Sequence, residues 1–465
     1  MAEQRKQTNL LRNKDCPSEV EMESRGKAGE HSDVKASAEG SDENIKQQRL
    51  LEAILTRENM NLAYGRVVGN KGSAGIDKMG VDGLLPYLKE HGTELLEQLK
   101  SGRYNPQAVR RVEIPKPDGG VRYLGIPTVV DRMIQQAISQ VLIPVFEAGF
   151  SESSYGFRPQ RNAHQAIRKA QEYIEGGRKY VVDIDLEKFF DRVNHDKLMH
   201  LISKQIGDKR VLKLIRQYLE SGVMIGGLYS KTEEGTPQGG PLSPLLSNVM
   251  LDELDKELEK RGHKFCRYAD DCNIYVRSQK AARRVLQSVS RYLEEELQLK
   301  VNEKKSEVGS PKQRKFLGFS FYQKKQSIGI RIHPKSLERI KEKVRKLTMR
   351  SNGMSMDTRI KRLSSLIGGW VGYYRLADIK SHCQQLDEWM RRRLRMCYWK
   401  NWKRIKTRHD KLMALGISNS KSWEFANTRK SYWRIANSPI LATSLTNQHF
   451  AELKLLTFSR AYCKT

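Results

Sequence analysis

An α+β fold is predicted for this chain by two patterns and one discontinuity. Short extended runs close around Pro-Asp-Gly-Gly and Ala-Asp-Asp, which reads as antiparallel hairpins. Amphipathic stretches of a dozen or more residues at helical spacing separate them, and beyond about residue 335 the extended runs stop and the chain reads as helical and basic. Helices alternating with hairpins argue against a parallel doubly wound sheet.

Composition bounds what such a fold can serve. At 465 residues the chain has room for two or three domains with cores of their own. It carries 84 Lys and Arg against 54 Asp and Glu, so its field attracts polyanions, nucleic acid ahead of an acidic membrane. Residues 331–465 hold 30 basic and 9 acidic side chains, a surplus of 21 out of the net +30. Residues 1–48 carry 8 basic and 10 acidic groups and no aromatic residue, too little apolar surface to fold alone. No run of about 18 apolar residues is present and the first thirty residues lack an apolar core behind a basic start, so a cytoplasmic protein with no membrane partner is expected. Cys16, Cys266, Cys272, Cys383, Cys397 and Cys463 form no C-x-x-C pair, which argues for reduced thiols rather than a zinc site or disulfide framework.

The elements follow in order. A helical segment begins near Asn44, with Leu50, Ile54, Met60, Leu62 and Val67 on one face. "VRRVEIPKPDGGVRYLGIPT" is a hairpin with Lys116 and Arg122 beside its tip. Helices cover 131–147 and 162–175, the second opened by Asn162. "KYVVDIDLEKFF" alternates as a half-buried strand, Val182, Ile184 and Leu186 on one face and Val181, Asp183 and Asp185 on the other. "GGPLSPLLSNVMLDELDKELEKRG" is a helix capped by Ser243, with Pro244 in its first turn, Leu246, Met250, Leu254 and Leu258 apolar, and Gly262 at its end. The hairpin "CRYADDCNIYV" comes next.

That hairpin sets two acids, Asp270 and Asp271, side by side. An Asp pair at a turn is by itself ordinary turn chemistry. With Asp185 on a neighbouring strand, however, three carboxylates would converge, and at about 4 Å each pair repels by several kcal/mol even at an effective dielectric near 20. Bound cations relieve such repulsion. An all-oxygen donor set suits Mg²⁺, with Mn²⁺ acceptable to the same ligands, and two such ions about 4 Å apart would clamp an in-line phosphoryl displacement.

At this point the chain resembles a known family. "DIDLEKFFD", "GTPQGGPLSPLLSN", "YADD", "LKVNEKKS" and "FLGF" look like the ordered motifs of a reverse transcriptase palm, while "IPKPDGGVRYLGIPTVVDR" and "SYGFRPQRNAHQAI" are similar to the finger motifs of group II intron-encoded members, most of all the bacterial IIC type. The resemblance runs from about residue 50 to the C-terminus. It implies a right-hand polymerase, with fingers and palm followed by a helical thumb and a basic C-terminal region. It makes Asp185, Asp270 and Asp271 the catalytic metal ligands, Asp271 in the more supportive role. Phe190 becomes the residue that excludes a 2′-hydroxyl, Gln238 and Gly239 shape the nucleotide pocket, and Lys116 and Arg122 grip the incoming triphosphate. Lys305, ahead of its neighbour Lys304, becomes the proton donor on the pyrophosphate side, and Arg158 a contact to template phosphate. Asp183, Tyr155 and Phe157 are taken as structural and His195 as part of a helix start.

"EWMRRRLRMCYWKNWKRIKTRHDKL" interleaves cations with Trp389, Tyr398, Trp399 and Trp402, a composition that suits phosphate contact and base stacking. Arg391, Arg392, Arg393, Arg395, Lys403 and Arg404 are its nucleic-acid candidates. "SLIGGWVGYYRL", with Trp370, Tyr373 and Tyr374, resembles the thumb, or X domain, of intron maturases. The expected organisation is a disordered tail over 1–48, a helical extension over 49–108, fingers and palm over 109–325, a thumb over 326–390 and a DNA-binding region over 391–465. Without paired cysteines or an H-N-H arrangement, no endonuclease domain is expected. The expected function is RNA-directed DNA polymerisation together with maturase assistance to splicing and retrohoming. Its partners would be a group II intron RNA, an RNA template with DNA or RNA primer, target DNA and dNTPs. A maturase without polymerase role and a domesticated reverse transcriptase in repair or defence are the alternatives.

Overall fold

The computed structural model describes residues 49–115, 119–225, 228–231, 234–236 and 238–463. The tail 1–48 and Lys116 lie outside the described residues. The described chain up to Arg314 forms one compact unit and the chain from Lys315 onward a second.

In chain order the strands of the first unit are β1 (Val109–Pro115), β2 (Val121–Ile126), β3 (Tyr180–Ile184), β4 (Val223–Ile225), β5 (Leu228–Ser230), β6 (Lys264–Tyr268), β7 (Asp271–Val276) and β8 (Glu307–Gly309). They form two sheets of four, ordered β2-β1-β4-β5 and β6-β7-β3-β8. The Pro-Asp-Gly-Gly hairpin is present, with Pro115 opposite Val121. β4 joins β1 in parallel through Val109 and Val223, a pairing no local pattern announces.

The first unit packs on one hydrophobic core running from Leu50 to Val301. The N-terminal helical segment is two helices, Leu50–Ile54 and Arg57–Gly69, the second capped by Thr56, whose Oγ1 accepts from the Asn59 N–H. The break rotates the expected apolar face, and Leu62 is left 51% exposed. Helices Val129–Glu147 and Ala163–Glu175 stand where expected. Asn162 and Gln165 close a capping box on the second, satisfying two end N–H groups reciprocally. The helix Ser243–Lys260 is present too, but its cap position is Leu242, and Ser243 is buried inside the first turn rather than capping it. Gly262 ends that segment at φ +71°.

β3 departs from the half-buried strand the alternation predicts. Val181 is as fully buried as Val182 and Ile184. The strand is interior to its sheet, hydrogen-bonded to β7 on one side and β8 on the other, and the helix Gln279–Glu295 packs against it.

The second unit opens with the antiparallel hairpin β9 (Phe319–Gln323) and β10 (Ile328–Ile332) and continues through helices Pro334–Leu347, Met356–Tyr374 and Lys380–Asn401 to shorter helices ending at Phe458–Tyr462. Its "FLGF" and "GYY" segments meet. Phe319 lies 4.9 Å, centroid to centroid, from Tyr374 and 5.6 Å from Tyr373, while Trp370 meets Phe458 edge-on at 5.5 Å. Trp399 and Trp402 are 1% and 7% exposed. They fill the core and are withdrawn from the base-stacking set the composition suggested. Among the described residues no helix is long and apolar enough to cross a membrane, and the described cysteines are free thiols.

Candidate active site

Asp185 follows β3 by one residue. Since Ile184 pairs with Cys272, continuing the antiparallel register sets Asp185 beside Asp271, the first residue of β7. Tyr268 pairs with Asp271, so Ala269 and Asp270 are the two-residue turn between β6 and β7. The fold therefore carries the three acids on adjoining ends of neighbouring strands.

Among the described residues no three His, Cys, Asp or Glu side chains are grouped to hold a metal ion by themselves. One acid belongs to a strand end, one to a turn and one to the next strand, and successive side chains along a strand alternate in direction. The donor chemistry still fits a hard divalent ion, because such an ion needs only one or two carboxylates and completes its shell with water and substrate phosphate.

Asp185 is firmly positioned. The "NEKKS" segment folds over it: Asn302 Nδ2 donates to Asp185 Oδ2 at 2.9 Å, and the Asn302 N–H donates to the Asp185 carbonyl at 2.8 Å. Ser306 Oγ accepts from the Asp185 N–H at 3.0 Å and donates to its carbonyl at 3.2 Å. Lys305 Nζ stands 3.8 Å from the same Oδ2 with its side chain 54% exposed. Of the two adjacent lysines, Lys305 is thus the one paired with the acid. Asn302 and Ser306 were missed in the sequence, where this motif yielded only its lysines. Asn302→Ala should lower turnover about 10- to 100-fold, as loss of a partner behind a metal-binding group does, with RNA affinity unchanged. Single-turnover kinetics beside a binding isotherm would read both, and a change under about twofold in turnover would remove Asn302 from the site.

The acid hairpin has its own buried support. Arg267 on β6 and Asp255 on the helix Ser243–Lys260 are both fully buried and make an ion pair through Nε and Nη2, with distances from 2.5 to 2.9 Å. Arg267 Nη1 donates at 3.0 Å to Asn248 Oδ1 and at 3.0 Å to the carbonyl of Ala269, inside the turn. Burial pushes the Asp255 carboxyl up against the opposing pull of Arg267. Ala269 sits at φ +55°, the left-handed region an alanine seldom adopts, and the Arg267 contact helps hold it there. Gly156 of "SYGF" backs directly onto this turn. A Cβ at Gly156 would lie 2.3 Å from the Ala269 nitrogen, so only glycine permits the approach.

The expected substrate residues lie in the same unit. Arg122 on β2 donates through Nε to Gln238 Oε1 at 3.1 Å, and the Gly125 N–H donates to the Gln238 carbonyl at 2.9 Å. The hairpin and the "TPQGG" loop therefore meet. Gly239, at φ +132°, lets the loop pass the Gly125 carbonyl, which a Cβ would approach to 2.6 Å. Phe189 is core, 3% exposed, and the half-buried Phe190 meets it edge-on at 5.2 Å. The Phe190 carbonyl accepts from Thr236 N–H at 2.6 Å, tying this turn to the start of the loop. His195 is 3% exposed, with Nε2 2.6 Å from the Gly235 carbonyl, in keeping with a structural helix start.

Three arginines are corrected. Arg158 is 7% exposed and its guanidinium is occupied by Glu147 and by the carbonyls of Ser151 and Ser154, so it braces the fold rather than touching template phosphate. Arg393 donates to Thr348 Oγ1 at 2.5 Å, and Arg395 donates twice to the Leu445 carbonyl, at 3.0 and 3.2 Å. Burial lowers the basicity of both, as expected of cations used as internal braces. Arg392 lies over the Trp433 ring at 3.9 Å and Arg391 is half-buried beside Asp387 and Glu388, whereas Lys403 and Arg404 are exposed.

An acid-bearing antiparallel hairpin beside a strand that leads into a third acid, with the Arg122 hairpin meeting the Gln238 loop, fits the class of α+β polymerases with a palm. Residues 114–321 match the family described as reverse transcriptase (RNA-dependent DNA polymerase), and residues 337–416 match the group II intron, maturase-specific domain. The chain is 33% identical over 308 residues to Protein YkfC of Escherichia coli, covering 58% of this chain and 81% of that protein. It is 38% identical over 235 residues to the group II intron-encoded protein LtrA of Lactococcus lactis subsp. cremoris, covering 50% and 39% respectively. It is also 33% identical over 214 residues to an uncharacterized 91 kDa protein in cob intron of Schizosaccharomyces pombe, covering 46% and 26%. The chain belongs to the family of bacterial group II intron-encoded reverse transcriptases with a maturase domain. Its match spans less than half the length of the Lactococcus and fission-yeast relatives.

Proposed function

We propose that this protein extends a DNA or RNA primer with dNTPs on an RNA template, and that it binds a group II intron RNA to assist splicing and copies it after insertion into target DNA. The observation that carries the polymerase half is the seating of Asp185: a carboxylate at the end of β3, held by Asn302, paired with Lys305 and adjoining in register the Asp270–Asp271 hairpin. The maturase half rests on the match over residues 337–416 and on the basic surplus of that region.

Within this function Asp185 and Asp270, supported by Asp271, would hold Mg²⁺. Bound there, a divalent ion would lower the pKa of the primer hydroxyl and offset charge on the transferring phosphate. Arg122, with Lys116, binds the triphosphate, Arg through a fork of donors and Lys as a point charge. Gln238 and Gly239 bound the pocket under the templating base. Lys305, an ammonium beside the reacting acids, supplies a proton to the departing pyrophosphate. Exposed Lys403 and Arg404 contact nucleic-acid phosphate, which makes binding fall steeply with salt. The domain boundaries expected from the sequence, the IIC subtype and a cytoplasmic location belong to the same proposal.

The test is primer extension on an RNA template with Mg²⁺ and either dNTPs or rNTPs. DNA synthesis by the wild type is expected, and its absence beside tight RNA binding would leave a splicing factor only. Phe190→Ala should raise rNTP use relative to dNTPs at least about tenfold, the scale of a hydroxyl clash worth about 1.4 kcal/mol. Unchanged sugar discrimination would remove Phe190 as the gate.

A further inference from the structure

In the second unit an open groove of about 620 Å³ is lined by Arg350, Arg393, Lys400, Tyr432 and Trp433, among others. We propose that it is a subsite for one unpaired nucleotide of a single-stranded nucleic acid, the base stacking on Trp433 and Tyr432 and its phosphate held by Arg350 and Lys400. The inference rests on the nucleic-acid-binding reading of this unit and adds a site to it.

Four observations carry it. The volume falls within the range of small-ligand sites and suits a nucleotide rather than a duplex. Three of the lining residues named are cations and none of the lining residues is acidic, so the groove accumulates like charge that an anion would relieve. The cations are already arrayed on the aromatics: Arg350 lies 4.9 Å and Lys400 5.3 Å from the centre of the Tyr432 ring, while Arg392 covers Trp433 at 3.9 Å. Such stacks present a flat, charged surface on which any base can lie. Finally, Trp433 is 36% exposed on the groove, whereas Trp399 and Trp402 are buried and the exposed Trp423 is already stacked on His409. Arg393 forms the fixed floor, its guanidinium anchored to Thr348.

The chemistry is common to RNA and DNA, and the experiment separates them. The full chain is titrated into single-stranded RNA and single-stranded DNA oligonucleotides carrying one 2-aminopurine, and into the corresponding duplexes, at fixed salt. Quenching of the 2-aminopurine by the wild type is expected with at least one of the two single strands, and the strand that shows it names the source. Trp433→Ala should abolish that quenching and weaken single-strand binding about 10- to 100-fold, the usual range for one stacking position, with duplex binding unchanged and Trp433→Phe restoring most of the loss. Arg350→Gln, on an exposed side chain, should weaken single-strand binding without any effect on folding and lessen its salt dependence. Wild-type single-strand affinity in both Trp433→Ala and Arg350→Gln, or equal losses for duplex and single strand, would overturn the subsite while RNA binding itself stands. Failure of the wild type to bind RNA or DNA at all would overturn both the subsite and the reading beneath it.

Discussion

Asp270→Ala is expected to lower primer extension by about three orders of magnitude or more while RNA affinity stays within about twofold. A divalent ion held at the reacting phosphate contributes several kcal/mol of transition-state stabilisation, and about 4 kcal/mol is a thousandfold in rate. Binding of the RNA draws instead on many phosphate contacts spread over a chain with a surplus of 30 positive charges, of which one turn residue is a small part. Asp185→Ala should fall as far. Asp271→Ala should fall less, in line with the supportive role proposed for it. Raising the Mg²⁺ concentration should recover part of the Asp271→Ala loss and little of the other two. Parallel loss of RNA affinity and extension in Asp270→Ala would instead mark the hairpin as structural and end its catalytic assignment.

Much of this site could be read in the sequence because it is built from local signals. The strands flanking Pro-Asp-Gly-Gly pair as one hairpin, Ala-Asp-Asp joins another, and Asn162 with Gln165 opens a helix, each announced by a signal only a few residues long. What could not be read depends on distant partners. β3 alternates like a half-exposed strand, yet Val181 is buried too, beside its buried β7 partner Tyr275, which meets Tyr173 of the helix Ala163–Glu175. Charge counting likewise says how many cations a segment has and not what they face. Arg158, Arg393 and Arg395 read as phosphate ligands, but Glu147, Thr348 and the Leu445 carbonyl claim them. Asn302 and Ser306 were hidden for the opposite reason: small polar residues carry no signal until the fold brings them to Asp185.

The same reasoning gives Arg267 the largest expected effect on stability. Arg267→Met should destabilise the first unit by about 3–5 kcal/mol, because it leaves Asp255 fully buried with no countercharge. The fall would be read as a lowered unfolding midpoint in urea at unchanged slope. Removing both charges separates packing from positioning: Arg267→Met/Asp255→Leu should regain most of the stability, since a buried pair contributes little over apolar residues of similar size. It should not regain polymerase activity. The Ala269 carbonyl, in the turn beside Asp270, would still lack the Arg267 Nη1 donor, and Ala269 would be freer to leave its left-handed conformation. The expected signature is a double variant nearly as stable as the wild type, with RNA affinity intact and turnover still down about 10- to 100-fold. Activity restored in step with stability would mean that Arg267 serves the core alone, and that the acids keep their geometry without it.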